Sequence, residues 1–245
     1  LNLRDSAMTQ TPVRKVTFAE FLDYDAADHR IELENGEIIT MPTGSPLHIA
    51  IIRFLFTTLE NEIKGNHLPF EIFPGGIGVR TGLRTSREPD LCILHREEWD
   101  ALRKQNPLSA IVERPPLLVV EVVSPGNGNR DRPKGALRDR DYHTKRREYA
   151  EMGIPEYWIV DPEEQKVVLC VVVGQSYQLT ELQGQSLIRS TLLPQLVLRA
   201  EQLFNLEHPP KQWSLFSEVR AKAHGLESEG DRARGCSASW ANFFF

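Results

Sequence analysis

The sequence predicts an α/β fold, with a mixed central β-sheet, helices on both of its sides and a β-hairpin appended near the C-terminus. Three observations predict it. Residues 117–123 form an apolar, β-branched run broken only by Glu121, as in a strand buried on both faces. After Ser45-Pro46, apolar residues recur at Ile52, Leu55, Phe56, Leu59 and Ile63, the spacing of one helical face. Residues 166–173 and 177–182 read as two antiparallel strands joined by a short turn.

The elements follow in order. Residues 1–15 are polar and predicted to be disordered. Thr17-Phe18-Ala19-Glu20 has the form of a capping box, so a helix starts there and carries Phe18, Phe21 and Leu22 inward. Asn35-Gly36 between Arg30-Ile31-Glu32-Leu33 and Glu37-Ile38-Ile39 signals a hairpin. Proline at the first helical position and Gly65 as a stop bound the long helix at Ser45 and about Lys64. Strands are expected at 70–73 and 77–80, joined by a hairpin turn at Pro74-Gly75-Gly76, and at 91–94. A helix at 96–105 and the buried strand at 117–123 come next. A basic helix should fill 138–152 and stop before Gly153, and Asp161-Pro162 should close a strand that starts near Ile154. Residues 194–204 give a last strand and a short helix. One domain is expected over 16–210 and a tail over 211–245, whose pattern dissolves from about 217.

Composition narrows the class. In 245 residues, 40% hydrophobic and 26% charged content is that of an ordinary globular chain, and the net charge of −5 lacks the basic balance of a typical nucleic-acid binder. The charge is uneven, because residues 130–147 hold eight Lys/Arg against three Asp. Cys92, Cys170 and Cys236 lie far apart, without the spacing of a zinc site or a disulfide framework. No leader and no run of the ~20 apolar residues a membrane helix needs is visible, so a cytoplasmic protein without a membrane partner is expected.

Acids at strand positions carry the functional signal. Glu121 sits where an isolated carboxylate would cost several kcal/mol, roughly, unless a cation meets it. Pro89-Asp90 runs directly into the apolar strand Leu91-Cys92-Ile93-Leu94, which could neighbour that of Glu121. Asp141, Lys145 and Tyr149 recur at i, i+4 and i+8, on one face of the basic helix. Two carboxylates and a backbone carbonyl, that of Val122, make a hard oxygen site suited to Mg²⁺ or Mn²⁺. Such an ion polarises a phosphoryl oxygen and acidifies a bound water, while a nearby lysine orients that water or stabilises the phosphorane. The arrangement suits phosphodiester hydrolysis.

Residues 17–204 resemble the bacterial Uma-type endonuclease family, long known only as a domain of unknown function, within the PD-(D/E)XK restriction-endonuclease-like superfamily. The matching segments are Ile31 to Glu37, Ser45-Pro46-Leu47-His48, Glu88-Pro89-Asp90, Val119 to Pro125, Asp141 to Tyr149 and Gly153 to Pro162. Their order and spacing are more specific than any one of them. The resemblance implies a restriction-endonuclease-like core, Asp90 and Glu121 as metal ligands, and DNA as the substrate. One departure matters: Val123 stands where (D/E)XK would place its lysine, and Lys145 matches the family's helical lysine instead. A homodimer is a further expectation, since cleavage of a duplex needs two sites.

Each residue also has a plainer reading. Asp90 could simply precede a strand, and Glu121 could pair with a structural arginine. Lys145 could lie on a solvated helix face, its role passing to Lys134, Arg138, Arg146 or Arg147. Glu32 could be a further site acid or a surface strand residue. His48 could approach a substrate phosphate or be a hydrogen-bonded helix-start residue. Tyr157-Trp158 could stack on bases or fill the core, and the basic 130–147 stretch could face DNA or solvent. Two functional rivals follow: a catalytically inactive nucleic-acid-binding or accessory protein, favoured by the missing in-line lysine, and an RNA-directed phosphodiesterase.

Overall fold

The buried apolar run around Glu121 forms the middle of a six-stranded sheet. The computed structural model describes residues 15–24, 29–105, 109–124 and 136–206. In chain order the strands are β1 (Ile31–Glu34), β2 (Glu37–Thr40), β3 (Phe70–Phe73), β4 (Gly78–Gly82), β5 (Thr85–Arg87), β6 (Leu91–His95), β7 (Ile111–Val112), β8 (Leu118–Val122), β9 (Glu156–Asp161), β10 (Lys166–Val173) and β11 (Ser176–Gln183). The main sheet has the order β11-β10-β9-β8-β6-β3 and is mixed, with β8 and β9 parallel and the other neighbours antiparallel. The expected hairpin is β10–β11. It pairs with β9 and so continues the central sheet rather than standing apart from it.

Helices cover both faces. Helix α1 (Phe18–Leu22) has the predicted capping box, but buries Phe21 alone and leaves Leu22 exposed. Helix α2 (Pro46–Gly65) is capped by the Ser45 side chain, and its buried stripe runs through Ile51, Phe54, Leu55, Leu59 and Ile63. The expected Ile52 and Phe56 lie at the margin of that stripe. They are turned aside because Ile51, Leu55 and Leu59 follow the i, i+4 line that meets the sheet. Leu118, Val120 and Val122 of β8 pack on this side. Val119 and Val123 face the opposite cluster, with Tyr149 and Ile154. Helix α3 (Arg96–Gln105) buries none of its residues. The fourth helix, α4, spans 136–152 and is continuous, but its middle, Arg140–Lys145, is wound as a π-helix between α-helical ends.

Several expectations need correction. The sequence suggests one sheet, whereas a second one, of order β2-β1-β5-β4-β7, is present. Its strands β5 and β7 have three and two residues, too short to show a period. Pro74-Gly75-Gly76 is therefore not a hairpin turn, because it links β3 in one sheet to β4 in the other. Residues 194–204 form no strand beyond a single bridge from Leu187 to Arg199, followed by a 3-10 turn at Ala200–Leu203. The β1–β2 hairpin forms as predicted, with Asn35 and Gly36 both at positive φ. At Gly36 a Cβ would also meet Lys15 Cβ at 2.9 Å, so glycine is required twice over. Tyr157 and Trp158 are fully buried and belong to the core. The described residues lie within one compact unit ending at Leu206. The expected 1–15 segment (apart from Lys15) and the 211–245 tail lie outside the described residues. Among those described, no helix is long and apolar enough to cross a membrane.

Candidate active site

Strand pairing brings the two acids together. Strand β6 lies antiparallel to β8 with Leu91 opposite Val120, which sets Asp90, just before β6, beside the end of β8. There the Val122 N–H donates to Asp90 Oδ2 at 2.8 Å. The other carboxylate oxygen, Oδ1, lies 3.4 Å from His48 Nε2 and 3.3 Å from Arg30 Nη1. The His48 contact, the Val122 N–H and Arg30 together outweigh burial, and hold the Asp90 carboxyl below its ordinary pKa. His48 sits in the first turn of α2, which Ser45 caps, and its Nδ1 is 3.3 Å from Ser124 Oγ.

Glu121 projects from the other face of β8, toward α4. The Tyr149 hydroxyl donates to its Oε1 at 2.9 Å, and Lys145 Nζ lies 2.9 Å from the same oxygen. Lys145 is only 2% exposed and also reaches Glu32 Oε1 at 3.2 Å and Asp141 Oδ1 at 3.4 Å. The predicted trio Asp141, Lys145 and Tyr149 does line one helix face. Burial raises the Glu121 pKa to about 8, with Asp141, Asp90 and Glu32 adding to the shift against the pull of Lys145. Burial and the neighbouring Asp90 and Glu32 likewise raise Asp141 to about 6. Burial disfavours the Lys145 ammonium, but Glu121, Glu32 and Asp141 override it and push its pKa up. The three acids thus favour the ammonium form of the lysine.

Glu32 is not a surface residue. It is fully buried on β1, and its Oε2 pairs with Arg140 and, at 3.1 Å, with Arg87. Burial would raise its pKa, but Lys145, Arg140 and Arg87 together lower it to about 2. Arg87, wholly buried at the end of β5, also makes two 2.7 Å bonds to Glu148 and one of 3.0 Å to Glu34. It ties the second sheet to α4.

Arg87, Arg140, Glu148 and Arg30 are polar partners that sequence reasoning missed. Residues five apart in an α-helix differ by roughly 140° around the axis, so Arg140 and Lys145 should not share a partner. The π-winding brings them to opposite oxygens of the Glu32 carboxylate. A signal was present: a helix packed on a sheet whose inward face reads Asp141, Lys145, Tyr149 is burying charge, and buried charge needs partners. One plainer reading of Lys145 meets the structure. It is not on a solvated face, and Arg138 is engaged with Asp161 and Glu164 instead. Lys134, Arg130 and Arg132 lie outside the described residues.

Arg30, His48, Asp90, Glu121, Val122, Ser124, Asp141 and Lys145 all border one cavity of about 30 Å³. Its size suits a water-sized group. A larger groove of about 640 Å³, between β10–β11 and residues 185–199, has no acid in its lining and offers no comparable chemistry. Among the described residues, no group of three or more His, Cys, Asp or Glu side chains stands ready to hold a metal. Mg²⁺ commonly takes only one or two carboxylates and keeps several waters. Asp90, Glu121 and the Val122 carbonyl match such a partial oxygen set. Burial first, and neighbouring acids after it, raise the Glu121 and Asp141 pKa values, and a divalent cation held here would favour their ionised forms. The residues present fit such an ion.

The Uma2 family profile, described as "Putative restriction endonuclease", matches residues 18–201. The chain belongs to the Uma2 family. Among solved structures it is similar to a "putative nuclease belonging to DUF820" from Anabaena variabilis ATCC 29413, with a TM-score of 0.60. That match is 19% identical and covers 78% of this chain and 98% of the other. At this identity the likeness concerns the fold alone. No curated protein matches the chain. The match to Uma2 includes every predicted site residue: Glu32, His48, Asp90, Glu121, Val122, Asp141, Lys145 and Tyr149.

Proposed function

We propose that this Uma2 protein is a metal-dependent endonuclease that hydrolyses DNA phosphodiester bonds at the Asp90–Glu121–Lys145 cavity. The observation that carries the reading is convergence: a loop acid, a strand acid and a helix lysine border one small cavity, with the lysine in contact with Glu121. Membership of the Uma2 family, described as "Putative restriction endonuclease", supports it.

Asp90, Glu121 and the Val122 carbonyl would hold Mg²⁺ or Mn²⁺, which when bound supplies Lewis-acid polarisation of a phosphoryl oxygen and acidifies a coordinated water. The protein's own groups do the rest. The Val122 N–H and His48 fix the orientation of Asp90. Lys145, whose charged form is favoured by Glu121, Glu32 and Asp141, suits a hydrogen-bond donor rather than a general base. It donates hydrogen bonds, orienting the attacking water and stabilising negative charge on the phosphorane. The Tyr149 hydroxyl donates to the same Glu121 oxygen that Lys145 contacts. A homodimer that places two such sites on a duplex belongs to the same proposal.

One observation favours a second reading. Lys145 already has three carboxylates within 3.4 Å, while Val123 occupies the usual lysine position. A lysine used as a counter-ion would leave a protein that binds nucleic acid without cutting it. Plasmid nicking with Mg²⁺ or Mn²⁺, wild type against Asp90→Ala, Glu121→Ala and Lys145→Ala, separates the two. Cleavage lost in the acid variants supports the nuclease, and an intact plasmid with wild type supports the binding protein. Duplex DNA, single-stranded DNA and RNA as competitors identify the polymer.

A further inference from the structure

An acid-lined cavity that accepts a phosphodiester needs a cation that substrate can reach. Among the described residues bordering it, His48, Arg140 and Lys145 are all buried, whereas the Arg30 side chain is 40% exposed. Arg30 is also held in place. Its Nε donates to Glu88 Oε1 at 2.9 Å, Nη2 to the Glu88 carbonyl at 3.0 Å, and Nη1 to Asp90 Oδ1 at 3.3 Å. Glu88 is itself anchored, because the Gly76 N–H donates to the same Oε1 at 3.1 Å. Gly75 and Gly76 both have φ of +72°, a turn closed to most side chains, which aims that N–H at Glu88. A guanidinium has five N–H donors in a planar fork. Among the described residues three serve these contacts, one from each nitrogen, and two are left for a ligand.

We propose that Arg30 is a substrate-contacting residue that clamps a phosphate of the nucleic-acid backbone at the cavity mouth, oriented by the Gly76–Glu88 pair. This rests on the nuclease reading for the identity of the substrate, and on the geometry alone for the residue. Its fixed fork, next to the Asp90 carboxylate, would set a non-bridging phosphate oxygen against the site. Charge complementarity is direct: a polyanion that approaches Asp90 and Glu121 meets Arg30 first.

The test is binding of a fluorescent DNA duplex by anisotropy, in Ca²⁺ to limit turnover, over a range of salt concentrations, with plasmid nicking measured in parallel. Arg30→Gln should weaken binding about tenfold and reduce the slope of log K against log salt by about one, the loss of one phosphate contact. Arg30→Lys, which keeps the charge and loses the fork, should retain the slope with a smaller loss of affinity. A merely structural Arg30 would alter thermal stability and leave the slope unchanged. Arg30→Gln with wild-type affinity and slope would overturn the clamp, and nicking by wild type would then leave the nuclease reading standing. A wild type that binds no DNA would also overturn it. A wild type that binds with an Arg30-dependent slope but never cuts would remove the nuclease reading and keep the clamp.

Discussion

Glu121 and Glu156 lie on the adjacent strands β8 and β9 of the same sheet, both buried and both set in apolar runs, yet their surroundings are opposite in kind. Glu156 faces the α2 side among neutral donors. It accepts from the Trp158 indole at 2.6 Å, from the Thr191 N–H and hydroxyl at 2.8 and 2.6 Å, and from the Leu192 N–H at 3.2 Å. Glu121 faces α4, shares its lysine with two other acids, and borders a cavity. A buried acid in an apolar strand thus marks a polar site but does not say which kind. A bordering cavity and a lysine shared with other acids make one of them a metal-site candidate, and complete hydrogen bonding makes the other a structural staple. Glu32 is a third case, a buried acid beside three cations.

Substitutions sharpen this contrast. The largest effect is expected from Lys145→Met, which leaves Glu32, Glu121 and Asp141 without their shared counter-ion. Unfolding in urea should show a loss of about 3–5 kcal/mol together with lost cleavage. A loss below about 1 kcal/mol would mean that the acids do not depend on the lysine.

Acid should act next, through Glu32. Its folded pKa, about 2, lies below the ordinary value of 4.5, so its contribution is present above 4.5 and fades as pH falls toward 2. The contribution is on the order of 3 kcal/mol, and Glu32→Gln should flatten the stability curve across that window in denaturant titrations. An unchanged slope would remove Glu32 from the network.

The paired exchange Glu121→Gln and Glu156→Gln tests the contrast itself. Glu121→Gln should reduce nicking by roughly a hundredfold or more with little loss of stability. Glu156→Gln should leave nicking intact and cost about 2 kcal/mol, because the new amide N–H₂ faces donors that need an acceptor. The reverse pattern would reassign the two residues. Smallest of all, saturating Mg²⁺ should raise the Tm of wild type by a few degrees and leave Asp90→Ala unmoved, as seen by scanning fluorimetry. An equal rise in both would place the ion elsewhere.

Most of the main sheet was legible in the sequence because its strands carry period and length. Residues 117–123 and β10 are apolar enough to have no other use, β11 is long enough to read as the partner of β10, and Thr17, Ser45 and Asn35-Gly36 are local signals that operate within a few residues. The second sheet was not legible, since β5 and β7 are too short for any pattern and are held by partners far along the chain. In the α2 stripe Leu55, Leu59 and Ile63 were read correctly, whereas Ile51 and Phe54 take the inner places expected of Ile52 and Phe56, a difference that only the sheet beneath decides.

The sequence by itself determined the chemistry: which acids sit at strand positions, that Val123 cannot replace a lysine, and that Asp141, Lys145 and Tyr149 share a helix face. Tertiary structure alone decided what those groups meet. The β6–β8 register sets Asp90 on the Val122 N–H, and the π-turn of α4 brings Arg140 and Lys145 to one carboxylate. The physical reason is range. Periodicity and capping act between residues a few positions apart, whereas a buried charge is set by whatever lies within a few ångströms in space, here residues from five separate segments of the chain.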